Sequence, residues 1–283
     1  MINVKKELEK NARNSIRLSF GGNRKRHPGA SKFGGAPDVP KGFEWPYFES
    51  TGYNDDEPKN RPLSFLAQFD LAEISKHDTE GLLPKSGVLS FFYDCETTPW
   101  GFDPKDRGCA RVFFFENANE VYPAVFPKDL SKDDRFPEFA VTAKSEKSYQ
   151  CYEDFLVQRD PRTDLWEEFE SAEKSLGIEI PGERSKLLGW ADVIQGNMTR
   201  ECELVSRGYY IGSGWDDVKP RDRQEAEQWA NRDWLLLFQL DSVLDDNSFE
   251  LYFGDGGRIY FYIRREDLAA RNFDNVWLIL QCC

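Results

Sequence analysis

Leu66-Ala67-Gln68-Phe69-Asp70 and Leu237-Phe238-Gln239-Leu240-Asp241 read as one pattern met twice, each closing an apolar strand with Gln two places ahead of Asp. Ahead of the first stands Ser31-Lys32-Phe33-Gly34-Gly35-Ala36-Pro37-Asp38-Val39-Pro40-Lys41-Gly42. Ahead of the second stands Ser185-Lys186-Leu187-Leu188-Gly189-Trp190-Ala191-Asp192-Val193-Ile194-Gln195-Gly196, identical at six of twelve positions. Beyond them, Gly87-Val88-Leu89-Ser90-Phe91-Phe92-Tyr93 matches Gly257-Arg258-Ile259-Tyr260-Phe261-Tyr262-Ile263, and Val112-Phe113-Phe114-Phe115 matches Val276-Trp277-Leu278-Ile279. The four matches keep one order at numbering offsets of 154, 171, 170 and 164, so the second copy carries an insertion of about seventeen residues. A strand-rich unit of this kind leaves an apolar sheet face bare, and two copies bury it against each other. The expectation is an α+β protein: one compact domain over 1–283, internally duplicated over 31–115 and 185–280, with antiparallel sheet units and a few flanking helices.

The rest of the chain fills in around that pattern. Val4, Leu8 and Ala12 fall four apart and predict a helix over 3–16. Leu165, Phe169 and Ala172 share a face in a second helix over 163–176, with Thr163 as cap and Gly177 as stop. A third spans 221–232, inside the insertion, and 266–270 is a single helical turn. Strands are expected at 63–69, 88–93, 111–115, 234–240, 258–263 and 276–280. Residues 21–29 form a basic glycine-rich loop, and the proline-interrupted stretch 123–147 reads as loops and short pieces.

Composition narrows the function. Hydrophobic residues are 40% of the 283 and aromatics 14%, enough for a core and too many rings for disorder. Lys and Arg number 37 against 50 Asp and Glu, a net charge of -13. Phosphate neutralisation demands the opposite sign, so nucleic acid is not an expected partner, and neither is an anionic membrane. No apolar run reaches the ~20 residues of a bilayer span. Met1 to Lys10 lacks the apolar core of a secretory signal, which points to the cytoplasm. The six cysteines, Cys95, Cys109, Cys151, Cys202, Cys282 and Cys283, contain no C-x-x-C and read as reduced thiols. Only two histidines occur, His27 and His77. H-E-x-x-H zinc chemistry is excluded, both imidazoles read as solvated surface groups, and neither a metal nor a cofactor is expected.

Several stretches in order resemble the YwqG-like family, bacterial proteins of unknown function. They are 31–40, 63–71, Leu83-Pro84-Lys85-Ser86-Gly87, Gly254-Asp255-Gly256-Gly257-Arg258 and Val276-Trp277-Leu278-Ile279-Leu280-Gln281-Cys282. The resemblance covers roughly 30–283. It implies an α+β fold with internal duplication and no known reaction, and toxin and immunity proteins neighbour some relatives. The family often has Trp before Gly-Asp-Gly-Gly, where this chain has Phe253.

Candidate site residues follow from the repeated motifs. Three glycines around Asp255 permit positive φ and close backbone approach. Gly254, Asp255, Gly256 and Gly257 therefore read as a tight turn into the next strand, with a ligand-facing loop as the alternative. Ser31 and Lys32 with Gly34 and Gly35 could offer backbone N–H groups to an anion, and Asp38 is a further candidate for a ligand or partner site. Gln68 and Gln239 end equivalent strands, where a side chain bonds the following turn or faces a pocket. Asp70 with Asp241 would make a paired-carboxylate site if the fold brought them together. The function expected is protein binding without catalysis, of the toxin-immunity type, since an acidic surface suits a basic partner. The alternative is a small-ligand binder or carboxylate enzyme with a pocket between the repeats.

Overall fold

Apolar spacing of four persists only from Val4 to Leu8. Asn3 caps that helix by accepting from the Lys6 N–H, and α1 (Val4–Lys10) stops where the Asn11 N–H closes on the Glu7 carbonyl. From Arg13 the period changes to two, Ile16 and Leu18 turn inward, and β1 (Arg13–Phe20) forms where the helix was expected to continue. The chain is described here by a computed structural model covering residues 2–21, 27–52, 55–157, 159, 164–179, 182, 184–245 and 249–282. Most of the basic loop, 22–26, and the Thr163 cap lie outside the described residues.

Nine more strands join β1: β2 (Lys32–Phe33), β3 (Ser64–Asp70), β4 (Val88–Tyr93), β5 (Ala110–Phe115), β6 (Phe139–Ser148), β7 (Lys186–Leu187), β8 (Trp234–Asp241), β9 (Arg258–Arg264) and β10 (Trp277–Gln281). They form a ten-stranded sheet in the order β10-β9-β8-β7-β1-β6-β2-β3-β4-β5, antiparallel at every step. This is an α+β fold. Its central strand β6 takes up 139–147 of the stretch 123–147 expected as loops and short pieces, while 124–138 holds no helix or strand. Thr142, Lys144 and Glu146 on one face of β6, with Lys147 on the other, disguise it, yet the strand pairs along the whole of β1, from Arg13 opposite Ser148 to Phe20 opposite Val141.

Two arms run outward from the β1–β6 pair, β2-β3-β4-β5 on one side and β7-β8-β9-β10 on the other. Lys32 stands opposite Gln68 in the first and Lys186 opposite Gln239 in the second. A register shift falls between Phe65 and Ala67 in the first and between Leu236 and Phe238 in the second. Phe91 faces Val112, and Phe261 faces Leu278. Register thus sets Val112 against Leu278, two residues beyond the Val276 chosen by sequence. A slip of two leaves every side chain on the same face, so the apolar pattern alone does not detect it.

The arms face each other across one core. Phe91 meets Phe238 at 4.7 Å and Phe261 at 5.1 Å between ring centroids, and Phe69 meets Phe238 at 5.3 Å. Each ring so buried contributes roughly 1.5–3 kcal/mol. The backs of the arms are covered differently. In the first, Phe43, Trp45 and Phe48 cover Leu63, Phe65 and Phe92. In the second, α5 (Met198–Ser206) and α6 (Pro220–Asp233) cover Trp234, Leu236, Tyr260 and Tyr262. Smaller helices complete the fold: α2 (Leu71–Ile74), α3 (Tyr152–Leu156), α4 (Trp166–Leu176) and α7 (Arg265–Ala269). No described helix is long and apolar enough to cross a membrane.

Candidate functional site: an arginine-lined cleft

The residues singled out by sequence gather in three places. The first two are buried polar knots, one per arm. Gln68 Oε1 accepts from the Asp38 N–H at 2.8 Å, and Gln68 Nε2 donates to Asp38 Oδ2 at 2.7 Å and to the Ala30 carbonyl at 2.9 Å. Gln239 repeats this set with the Asp192 N–H (2.9 Å), Asp192 Oδ2 (2.8 Å) and the Arg184 carbonyl (2.6 Å). Lys32 Nζ sits 3.1 Å from Asp38 Oδ2, and Lys186 Nζ sits 2.9 Å from Asp192 Oδ2. Burial draws the Lys186 ammonium below its ordinary range, against the pull of Asp192. Burial pushes the Asp192 carboxyl up, but Lys186, Gln239 and Arg17 together bring it below its ordinary range. The bonds of these side chains are spent inside the fold. Gly34 and Gly35 donate their N–H groups to the Leu66 and Phe136 carbonyls, so neither is presented to an anion. A Cβ on Gly34 would overlap the Pro137 carbonyl oxygen.

The third place is the turn into β9. The Gly257 N–H closes on the Phe253 carbonyl at 2.7 Å, and Gly254 and Gly256 hold positive φ of 60° and 70°. A Cβ on Gly257 would overlap the Gln281 carbonyl oxygen, as one on Gly87 would crowd that of Phe115. Asp255 stands exposed at the tip. Asp70 and Asp241 are each engaged within their own arm: Asp70 Oδ1 accepts from the Ala72 N–H at 2.9 Å, and Asp241 Oδ1 lies 2.8 Å from Arg258 Nε.

The fold assembles a different site, which no local pattern announces. A cleft of about 520 Å³ opens where α1 meets β1. Arg13, Arg159, Arg232, Arg265 and Lys10 line it, with Glu7 on the rim. Arg13 lies flat on Trp190, its Cζ 3.5 Å from the ring centroid, and Trp190 is fixed by donating Nε1–H to the Asn11 carbonyl at 2.8 Å. Arg159 stacks on Phe155 at 4.1 Å. Arg13 donates to the Asn231 carbonyl at 2.8 Å, Arg265 to the Arg232 carbonyl at 3.3 Å and Arg159 to the Phe155 carbonyl at 2.8 Å. Part of the role of these side chains is to cap the last carbonyls of α6 and α3. A guanidinium carries five N–H donors, so each retains several for the cleft.

Arg13 has no carboxylate in hydrogen-bond contact among the described residues. Burial lowers its guanidinium to about 10, Asp154 raises it, and the nearby charge of Arg265 lowers it further. Asp154 is the largest opposing charge acting on it. Its carboxyl is itself raised by burial, and Oδ1 accepts from Asn197 Nδ2. Arg265 also borders a second cavity of about 320 Å³, where Leu83 and Lys85 of the first arm face Leu235, Leu268 and Arg271 of the second. The chemistry offered is that of stacked, pre-oriented guanidinium groups, suited to bidentate capture of phosphate or carboxylate oxygens. Thiol chemistry is not offered nearby: burial raises Cys151 well above its ordinary range, and likewise Cys95, Cys109 and Cys202.

Fold and site together define an α+β protein with a two-armed antiparallel sheet and a basic cleft beside its central strand pair. The chain belongs to the family described as a domain of unknown function, DUF1963, whose model matches residues 31–282. No curated protein matches it.

Proposed function

We propose that the protein is a binding protein for a small polyanionic ligand held in the arginine cleft. The observation that carries this reading is Arg13: a largely buried guanidinium, beside the like charge of Arg265, with only a carbonyl and an aromatic face as partners. In a chain of net charge -13, four arginines and Lys10 around one lining carboxylate, Glu7, with only Arg232 ion-paired, to Asp233, among the described residues, are a local reversal of sign that an anion completes. The cleft volume suits a small molecule, and the overall charge disfavours a long nucleic acid. This cleft is not the pocket expected between the repeats, since it is bordered by the N-terminal segment, residues 150–159 and the second arm, with no residue of 31–115 and without Gln68, Gln239 or Asp255.

A protein partner is the second reading. Its support is the acidic surface and an exposed apolar patch, with Tyr122 47% and Val125 91% exposed. A basic partner of the toxin type fits that charge. Cytoplasmic residence draws support from the free thiols of Cys95, Cys109, Cys151, Cys202 and Cys282. The matched registers and the paired Lys-Asp-Gln knots support descent of both arms from one duplicated unit, in keeping with the YwqG-like resemblance and its bacterial setting.

The test is calorimetric titration of the full chain with inorganic pyrophosphate. Binding is expected in the wild type, weakening with added salt. Arg13→Met keeps an apolar stem on Trp190 and is expected to weaken binding at least tenfold while its Tm stays within a few degrees of wild type. Absence of pyrophosphate binding at millimolar concentration, or wild-type affinity in Arg13→Met, would overturn the reading.

A further inference from the structure

The equivalent aspartates of the two arms have different surroundings. Asp241 stands opposite Arg258 across β8 and β9, and Arg258 Nε supplies its counter-charge at 2.8 Å. Asp70 stands opposite Val88 across β3 and β4, and among the described residues no lysine or arginine pairs with it. Yet Asp70 is only 8% exposed. A further carboxylate, Glu73, and the imidazole of His27 converge on it instead, one ligand-capable atom from each lying within 4.8 Å of the others.

We propose that His27, Asp70 and Glu73 bind a first-row divalent metal ion, which takes the place that the Arg258 guanidinium fills in the other arm. His27 Nδ1 lies 3.1 Å from the Pro28 carbonyl oxygen. A carbonyl only accepts, so this contact places a proton on Nδ1, and in the neutral ring that leaves the Nε2 lone pair for a metal. A metal-binding imidazole needs this tautomer, and a hydrogen bond of this kind fixes it. Asp70 is held by the bond from the Ala72 N–H to Oδ1, which makes it the fixed corner. His27 and Glu73 are exposed beside it. Ligand atoms about 2.1 Å from a metal sit roughly 3–3.5 Å apart, a short rotamer movement from the present spacing. One imidazole and two carboxylates suit Mn²⁺, Fe²⁺ or Zn²⁺, and three protein ligands leave coordination positions for water or a ligand oxygen.

The probe is Mn²⁺ added to the full chain in phosphate-free buffer, read by electron paramagnetic resonance. One equivalent is expected to leave the free-ion signal, with spin-echo modulation from a coordinated imidazole nitrogen. His27→Gln is expected to abolish that modulation. Glu73→Gln is expected to weaken binding at least tenfold. Both positions are exposed, so the metal-free Tm of each variant should match wild type. The proposal is overturned by failure to bind at millimolar Mn²⁺, by binding without nitrogen modulation, by wild-type affinity in Glu73→Gln, or by modulation that persists in His27→Gln and so belongs to His77.

Discussion

Lys186→Met is expected to lower the unfolding free energy by about 3–5 kcal/mol, the range for removing one partner from a buried ion pair. Lys186 is 2% exposed, and its ammonium is the near counter-charge of Asp192, with Arg17 Nη1 more distant at 3.7 Å. Methionine fills the stem volume and leaves the carboxylate with Gln239 Nε2 and the more distant Arg17 as its remaining partners. Urea denaturation at neutral pH measures the loss, which would be a large part of the ~5–15 kcal/mol that holds a domain together. Asp192→Asn in the Lys186→Met background should return part of it, because a neutral amide no longer needs the ammonium. A loss below about 1 kcal/mol, or no recovery in the double variant, would mean that Arg17 and Gln239 satisfy Asp192 unaided.

That knot also shows where sequence reading succeeds and where it stops. Lys, Asp and Gln recur at fixed distances from two apolar strands, and one register imposes one pairing on each set. The repeat therefore exposed Lys32, Asp38, Gln68 and Gln239 as residues with a common task. Residue types alone do not say whether a buried amide faces a ligand or its own chain, and here each closes on Asp38 or Asp192. Strand β6 was hidden because it carries Thr142, Lys144 and Glu146 on one face, and β1 because Ala12 continues the four-residue spacing of Val4 and Leu8 beyond the end of α1 at Lys10. The cleft was hidden for another reason. Arg13, Arg232 and Arg265 lie on three separate elements and Arg159 beyond the end of α3, and only the packing of these segments at the start of β1 brings their charges together. His27 read as a solvated residue, which its exposure supports, while the position of Asp70 beside it depends on how β3 and the 27–30 turn meet.

Glu201→Gln is expected to stabilise the protein at alkaline pH and to leave it nearly unchanged in acid. Glu201 lies on α5, and its Oε2 is buried with no hydrogen-bond partner among the described residues. Burial pushes its carboxyl from 4.5 up to about 7, and Arg200 offsets only part of that. Below the unfolded value both states hold the proton, and the group costs nothing. Between the two values the unfolded chain ionises while the folded chain keeps its proton, so stability falls as pH rises. Above the folded value the loss is complete, about 3 kcal/mol for a shift of this size. Asp134, raised by burial to about 6, slopes the same way, so the wild-type profile alone does not isolate Glu201. The difference between wild type and Glu201→Gln does. Denaturation at pH 5 and pH 8 should show that gap widening by about 2.5 kcal/mol in favour of glutamine. A gap that stays constant across this range would place the Glu201 carboxylate in water, and with it the outer face of α5.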